Sequence, residues 1–223
     1  MQKNLIYILL ALSIVLNIIM GIKMFQSTEK PNIRTPPRNS MAQDGCNEVT
    51  KNIYFIGNSI LKPAKLDELL DNRNIANQSI SGMTSTDAVM MSNELIPTKP
   101  KKVFIMLGIN DIKSKMPLNI TVRNIGHFIY TLKRYSPQTE IHLLSVLPVN
   151  ETIKNYDIKN ADIKELNKLI KEFCNRFNFN YIDLYDVLLD KESNLNKEFT
   201  TDGLHINNAA YLKLAKPLKV YTK

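Results

Sequence analysis

Three residues have the types and positions expected of a nucleophile and its acid–base partners: Ser59, Asp202 and His205. Ser59 follows the apolar segment 53–56 and a two-residue turn, so its hydroxyl is expected at the carboxyl end of a strand. Asp202 and His205 lie three residues apart, and a carboxylate at that spacing can orient an imidazole that deprotonates a serine. The three residues are therefore typical of a nucleophile, an orienting acid and a general base.

Two further turn motifs could complete a site with these residues. They are Ser81-Gly82-Met83 and Gly108-Ile109-Asn110-Asp111. Because each follows an apolar stretch, both are expected at the same edge of one sheet as Ser59. Acyl transfer to a serine needs hydrogen-bond donors there to hold the oxyanion that develops.

With these residues assembled, the chain resembles the SGNH hydrolase family, also called GDSL-type esterases and lipases, from about residue 51 to the C-terminus. The resemblance rests on four blocks in the family's order: Gly57-Asn58-Ser59-Ile60, Gly82, Gly108-Ile109-Asn110-Asp111 and Asp202-Gly203-Leu204-His205. It implies that Ser59 is the nucleophile, His205 the base and Asp202 the residue that orients the base. It also implies an oxyanion hole made by the N–H groups of Ser59 and Gly82 and the side-chain amide of Asn110.

The first block departs from the family at one position, because the usual Gly-Asp-Ser is Gly-Asn-Ser here. Asn58 has nearly the shape of aspartate and keeps a carbonyl acceptor, so the turn is expected to survive, whereas any function of the negative charge is lost. The departure bears on rate and pH optimum more than on the class of reaction.

Each of these residues also has a plainer interpretation. Ser59 could cap a helix, since serine is a favoured N-cap, and a turn glycine or a lone histidine is usually structural. The four ordered blocks favour the catalytic interpretation. Asp111 is interpreted as structural, bonding loop backbone groups. His127 and His142 fall in helix-like and strand-like stretches without a suitable partner nearby, so both are interpreted as structural.

From residue 51 onward, short apolar runs alternate with longer amphipathic stretches. Strands are predicted at 52–56, 75–78, 102–107, 140–144 and 181–183. Helices are predicted at 63–70, 84–95, 118–135, 158–177 and 208–220. The alternation indicates repeated βαβ units, hence an α/β three-layer sandwich with a central parallel sheet, of the flavodoxin-like kind that the resemblance also implies. Ligands of such sheets bind beyond the carboxyl ends of the strands, where Ser59, Gly82 and Asn110 fall.

The first part of the chain is predicted to be one N-terminal transmembrane helix. Residues 5–22 are an uncharged apolar run, close to the roughly 20 residues with which a helix spans a bilayer. No small-residue cleavage site follows, which favours an uncleaved signal anchor over residues 1–25. Residues 26–50 contain three prolines and are predicted to be a flexible tether to an SGNH hydrolase domain at 51–223.

The orientation of this anchor has two interpretations. Lys3 precedes the apolar run, and Lys23, Lys30, Arg34 and Arg38 follow it, so a strict positive-inside count places the domain in the cytoplasm. A short tail before one apolar run resembles instead the exported signal anchors of bacterial surface enzymes. An extracytoplasmic catalytic domain in a bacterium is the favoured interpretation.

The remaining composition points to no cofactor, no metal and no nucleic acid. The net charge of +8 is spread along the chain and accompanies no nucleic-acid-binding signature, so it favours surface electrostatics over DNA or RNA recognition. The two cysteines, Cys46 and Cys174, are too few for a metal cluster, and the sequence leaves their pairing open.

The sequence predicts a serine ester hydrolase that removes small acyl groups, acetyl foremost, because no long apolar insertion is present to form an acyl-chain tunnel. An exported, membrane-tethered domain would act on cell-envelope or extracellular glycan esters. The same triad could instead serve an O-acyltransferase, or a lysophospholipase or thioesterase of the same family. Asn58 also leaves open a non-catalytic surface-binding module that has kept the fold.

Overall fold

The computed structural model describes residues 51–223 of the chain. Within them, five parallel strands form one sheet in the order β2-β1-β3-β4-β5. The strands are β1 (Ile53–Gly57), β2 (Ile75–Asn77), β3 (Lys102–Met106), β4 (Glu140–Leu144) and β5 (Asn180–Ile182). This strand order is that of a flavodoxin-like, doubly wound sheet.

Six α-helices of residues 51–223 connect and flank the strands. They are α1 (Leu66–Leu69), α2 (Ser85–Leu95), α3 (Ile109–Lys113), α4 (Leu118–Tyr135), α5 (Asn160–Phe177) and α6 (Asn208–Leu218). From β2 to β5 the chain crosses the sheet in one direction, so right-handed crossovers place α2, α4 and α5 on the same face. These helices pack in sequence, α2 on α4 and α4 on α5, whereas α1 contacts α6. The result is a three-layer α/β sandwich.

A stack of rings crosses the three central strands. Phe55 of β1 is in register with Phe104 of β3, which is in register with His142 of β4. The ring centroids are 4.4 Å apart at both steps, and the rings are nearly parallel. Tyr221 meets His142 edge-on at 5.7 Å. Because all three strand residues are buried, the stack fixes the register of the strands that carry the site at their carboxyl ends.

The predicted strands agree with the observed ones to within one residue at every end, and the parallel three-layer sandwich is confirmed. The helix predicted at 63–70 is shorter, because residues 59–63 form turns. The five-residue α3 was not predicted, since so short a segment shows no helical period. The predicted anchor at 1–25 and tether at 26–50 lie outside the described residues. In the described part, no helix is long and apolar enough to cross a membrane.

Candidate active site

Ser59 lies two residues beyond β1, in a turn held by Asn58. The Asn58 carbonyl accepts hydrogen bonds from the N–H groups of Leu61 at 3.1 Å and Lys62 at 3.0 Å. The side-chain Oδ1 of Asn58 accepts from the N–H of Ile60 at 3.0 Å. Asn58 is buried. Its amide therefore gives the turn a carbonyl acceptor without placing a negative charge beside Ser59.

The structure brings Ser59, His205 and Asp202 into one chain of hydrogen bonds. Ser59 Oγ lies 3.0 Å from His205 Nε2. His205 Nδ1 lies 2.7 Å from Asp202 Oδ2. With the ring proton on Nδ1 and donated to Asp202, the Nε2 lone pair faces the Ser59 hydroxyl. This is the arrangement in which an imidazole can take the serine proton.

The Asp202 carboxylate is held ionised by the groups that donate to it. Its Oδ1 accepts hydrogen bonds from the N–H groups of Leu204 at 2.9 Å and His205 at 2.8 Å. Partial burial alone would raise the pKa of Asp202, but the hydrogen bonds from the His205 ring, from these two N–H groups and from Tyr156 outweigh it and hold that pKa well below its ordinary value. A permanent negative charge therefore faces the His205 ring.

Gly82 reaches the site because its turn is bonded to the end of β1. The N–H of Ile80 donates to the Gly57 carbonyl at 3.0 Å, which brings the turn beside Ser59. Gly82 has φ +79°, and a Cβ added to it would meet no atom of residues 51–223 within 4 Å. In the described part of the chain, the N–H groups of Gly82 and Ser59 donate to no acceptor. Both can therefore donate to a bound oxyanion.

Asn110 arrives from β3, the strand next to β1. It lies in α3, and its Nδ2 donates to the Met83 carbonyl at 2.9 Å. That bond ties the side chain to the turn of Gly82 and uses only one of the two amide hydrogens. The second amide hydrogen makes no hydrogen bond within residues 51–223 and can donate to a ligand.

Asp111 connects the turn of Gly82 with the helix of Asn110 from inside the protein. Its carboxylate is fully buried and accepts the N–H of Ser85, the first residue of α2, at 3.0 and 3.1 Å. The Ser85 hydroxyl donates to it at 2.5 Å. Burial raises the pKa of Asp111 despite these bonds. Asp111 is thus structural, and it fixes the helix after Gly82 against the helix that carries Asn110.

The loop of Asp202 and His205 is supported by two asparagines of α5. Asn167 donates to and accepts from the backbone of Val146 at 2.9 and 2.8 Å. Asn160 does the same for Val149 at 2.8 and 3.0 Å. The two asparagines therefore fix the backbone of segment 145–150. The N–H of its last residue, Asn150, donates to the Gly203 carbonyl at 2.7 Å, which connects the segment to the loop of Asp202 and His205.

Helix α6 ties the histidine loop to the nucleophile turn. Asn207 caps the helix two residues after His205, where its side chain accepts from the N–H of Ala210 at 3.2 Å. Tyr211 of the first turn is buried and donates its hydroxyl to the carbonyl of Ile60 at 2.5 Å. The two catalytic loops are therefore joined within one residue of Ser59.

Tyr156 is a site residue that sequence reasoning missed. Burial and the Asp202 carboxylate raise the pKa of Tyr156, and Tyr156 in turn helps to lower the pKa of Asp202. The residue lies in the polar loop between β4 and α5. Nothing in its sequence neighbourhood marks it, because the contact joins positions far apart in the chain.

The reacting atoms lie at an open surface. The side chain of His205 is 46 % exposed and that of Asp202 35 % exposed. Within residues 51–223, no group of three or more His, Cys, Asp or Glu side chains is placed to hold a metal ion. The hydrogen-bonded serine, histidine and aspartate can do nucleophilic and acid–base chemistry on a group that reaches them from solvent.

A parallel α/β sandwich with a hydrogen-bonded serine, histidine and aspartate at the carboxyl edge of its sheet is typical of serine hydrolases. The GDSL-like Lipase/Acylhydrolase family matches residues 57–213, and the chain belongs to that family. The SGNH resemblance, and with it the prediction of a hydrolase-family enzyme, is thereby confirmed.

Comparisons with individual proteins agree with this family. A protein structure from Streptococcus pneumonia, named for platelet activating factor, is 33 % identical, with a TM-score of 0.69 over 80 % of this chain and 87 % of that chain. An acetylxylan esterase of Geobacillus stearothermophilus has the same fold, with 19 % identity and a TM-score of 0.62 over 74 % of this chain and 91 % of that chain.

A curated relative extends beyond the present chain. The N-acylneuraminate cytidylyltransferase of Escherichia coli O18:K1:H7 is 32 % identical over 174 residues, which are 77 % of this chain and 40 % of the relative. The chain therefore spans less than half the length of that relative.

Proposed function

We propose that the protein is an esterase that removes small acyl groups, acetyl foremost, from an acylated sugar or glycan. Ser59 is the nucleophile, His205 the general base and Asp202 the residue that orients it. The observation that carries the proposal is the unbroken chain of hydrogen bonds from Ser59 Oγ to His205 Nε2, 3.0 Å, and from His205 Nδ1 to Asp202 Oδ2, 2.7 Å.

In the first half of the reaction, Ser59 Oγ attacks the acyl carbonyl as His205 Nε2 takes its proton. The ionised Asp202 keeps the ring in the required tautomer and stabilises the imidazolium. The N–H groups of Ser59 and Gly82 and the amide of Asn110 hold the oxyanion. His205 then returns the proton to the departing alcohol oxygen, which leaves an acyl-Ser59 ester.

In the second half, water replaces the alcohol. His205 removes a proton from the water, the resulting hydroxide attacks the acyl-Ser59 carbonyl, and the same three donors hold the second oxyanion. Collapse of that intermediate returns the proton to Ser59 Oγ and releases the carboxylic acid. The protein ends as it began, and no further reactant is needed.

Two features support a small acyl group carried by a sugar. The exposed triad accepts a large alcohol portion from solvent, and the connections around it include no long apolar insertion. The name of one structurally similar protein refers to an acetylated sugar polymer, acetylxylan, and the name of one relative refers to a sugar acid, N-acylneuraminate, whose named acyl group is an amide. What the two names share is a sugar, and an O-acylated sugar is the sugar substrate that an esterase can act on.

We also propose that the enzyme works outside the cytoplasm of a bacterium, attached to the membrane through residues 1–25. The support is the apolar run 5–22 and the proline-containing segment 26–50 that follows it. A domain held in this way would meet glycan esters of the cell envelope or its surroundings.

The acyl preference is tested by a series of p-nitrophenyl esters from acetyl to octanoyl, together with acetate release from acetylated xylan. We expect kcat/KM to fall at least about tenfold from the acetyl to the octanoyl ester, because each added methylene must find apolar surface that an open site lacks. Equal or greater activity on the octanoyl ester would contradict the small-acyl proposal and favour a lysophospholipase or thioesterase.

The acceptor is tested in the same assays by product analysis. With acetylated xylan as donor and an unacetylated xylo-oligosaccharide added, we expect free acetate as the product. Transfer of the acetyl group to the oligosaccharide in preference to water would identify an O-acyltransferase instead.

A further inference from the structure

Two lysine ammonium groups lie near the ring of Tyr156. Lys154 Nζ lies 4.9 Å from the ring centroid, and Lys113 Nζ lies 6.0 Å from it. Lys154 belongs to the loop before α5, whereas Lys113 is the last residue of α3. Two ammonium groups from separate elements therefore converge on one aromatic ring, at distances typical of cation–π contacts.

The carboxylates nearby are already paired with other cations. Asp157 forms an ion pair with Lys115 at 2.6 Å, and Glu151 forms one with Lys159 at 3.1 Å. Asp202 is paired with His205. Among residues 51–223, no carboxylate forms an ion pair with either Lys113 or Lys154. The lysine pair therefore presents positive charge that the described protein does not neutralise.

The lysine pair lies where it can act on the reaction. The Asp202 carboxylate is one of the groups that raise the pKa of Tyr156, so the ring near the lysines lies close to the triad. Lys113 lies three residues after Asn110 on the same short helix. A group bound by the lysines would thus lie on the side of the site that carries Asp202 and Asn110.

We propose that Lys113 and Lys154 bind an oxyanion, carboxylate or phosphate, on the alcohol portion of the substrate. The enzyme then prefers acyl esters of anionic sugars to those of neutral sugars. This inference rests on the proposed esterase function and names the substrate class for it. Because both lysines are open to solvent, each ion pair with the substrate contributes little to binding, so the expected preference is modest.

The test compares acetate release from three mono-O-acetylated sugars: methyl glucoside, methyl glucuronoside and methyl glucoside 6-phosphate. We expect the wild type to have a kcat/KM at least about fivefold higher for one of the anionic esters than for the neutral one. Raising the salt concentration to about 0.5 M should reduce this preference, because salt screens exposed charges. Whichever of the glucuronoside and the phosphate gives the higher value identifies the bound group.

The variants Lys113→Gln and Lys154→Gln remove the charge and keep most of the side-chain length. Each should lower the anionic-to-neutral ratio of kcat/KM by about two- to fivefold, the effect of one exposed ion pair. The ratio does not depend on the fraction of folded enzyme. Lys101→Gln is the matched control, because Lys101 is an exposed lysine directly before β3, at the opposite edge of the sheet, and it should keep the wild-type ratio.

Equal kcat/KM for the anionic and neutral esters would overturn the anion site and leave the esterase proposal intact. A preference that survives in the Lys113→Gln/Lys154→Gln double variant would also overturn it. If the wild type releases acetate from none of the three sugars and from no other ester, the proposed function itself fails, and this inference fails with it.

Discussion

Asn110 illustrates how a single side chain can be oriented by one hydrogen bond and act through another. Its Nδ2 donates to the Met83 carbonyl at 2.9 Å, and in the proposed mechanism its remaining amide hydrogen donates to the oxyanion. A donor of this kind bonds the transition state more strongly than the ground-state carbonyl. The loss of Asn110 should therefore appear in kcat and not in KM.

We expect Asn110→Ala to lower kcat about 10²- to 10³-fold on p-nitrophenyl acetate with little change in KM. Asn110→Asp is the matched variant, since it keeps the shape but replaces the donor by an acceptor, and it should lose at least as much activity. A change confined to KM in both variants would mean that Asn110 positions substrate and does not hold the oxyanion.

At the scale of elements, the ring stack across β1, β3 and β4 makes the sheet sensitive to acid. His142 is buried, its ring nitrogens have no hydrogen-bond partner in the described residues, and Nε2 lies 3.6 Å from Glu140, beyond hydrogen-bond distance. Burial lowers the pKa of His142, Lys102 lowers it further and Glu140 acts in the opposite direction. The unfolded chain therefore binds a proton at this position at a higher pH than the folded protein does.

We predict that His142→Phe removes part of the loss of stability in acid. Below the unfolded pKa of about 6.5, proton uptake by the unfolded state lowers the wild-type free energy of unfolding by up to about 1.4 kcal/mol per pH unit. Urea denaturation should show that the free energy of unfolding of the variant, relative to that of the wild type, rises by about 1 kcal/mol or more between pH 7.5 and pH 5.5. His127→Phe, an exposed histidine of α4, is the control. If the variant and the wild type differ in free energy of unfolding by the same amount at both pH values, His142 does not contribute to the loss of stability in acid.

The elements that the sequence predicts well are those with a strong local signal. Buried parallel strands are continuous apolar runs, and a turn residue after such a run lies at the carboxyl edge of the sheet, which is why Ser59, Gly82 and Asn110 could be placed. The supports of the site could not be predicted in this way. Asn160 and Asn167 look like ordinary polar positions of a helix, and their bonds to Val149 and Val146 depend on tertiary packing. Tyr156 meets Asp202 only in the folded chain.

At the scale of the whole molecule, buried supports carry an exposed site. Asp111 and the α5 asparagines lie inside, whereas Ser59, Asp202 and His205 reach solvent. This division suits an enzyme whose substrate is larger than the group it removes, because a polymer can dock without entering the fold. It also suits a catalytic domain that residues 1–50 would hold near a surface.

The membrane proposal predicts that the full chain, expressed in a bacterium, stays in the membrane fraction after washing with carbonate at high pH. Removal of residues 1–25 should release esterase activity into the soluble fraction. Added protease should reach the catalytic domain in intact cells, or in spheroplasts if an outer membrane is present. Complete extraction of the full chain by carbonate would contradict the anchor, and protection from protease would place the domain in the cytoplasm.

The most direct test of the central claim is the labelling of Ser59 by a fluorophosphonate, whose phosphorus is attacked by an activated serine in place of an acyl carbonyl. We expect one adduct per chain, mapped by peptide mass spectrometry to Ser59, lost in Ser59→Ala and formed much more slowly in His205→Ala. Ser81→Ala is the control, since Ser81 is exposed and its hydroxyl makes no hydrogen bond within residues 51–223, and this variant should still be labelled at Ser59. A folded wild type that stays unlabelled, or an adduct at another residue, would contradict the assignment of the nucleophile and with it the proposed mechanism.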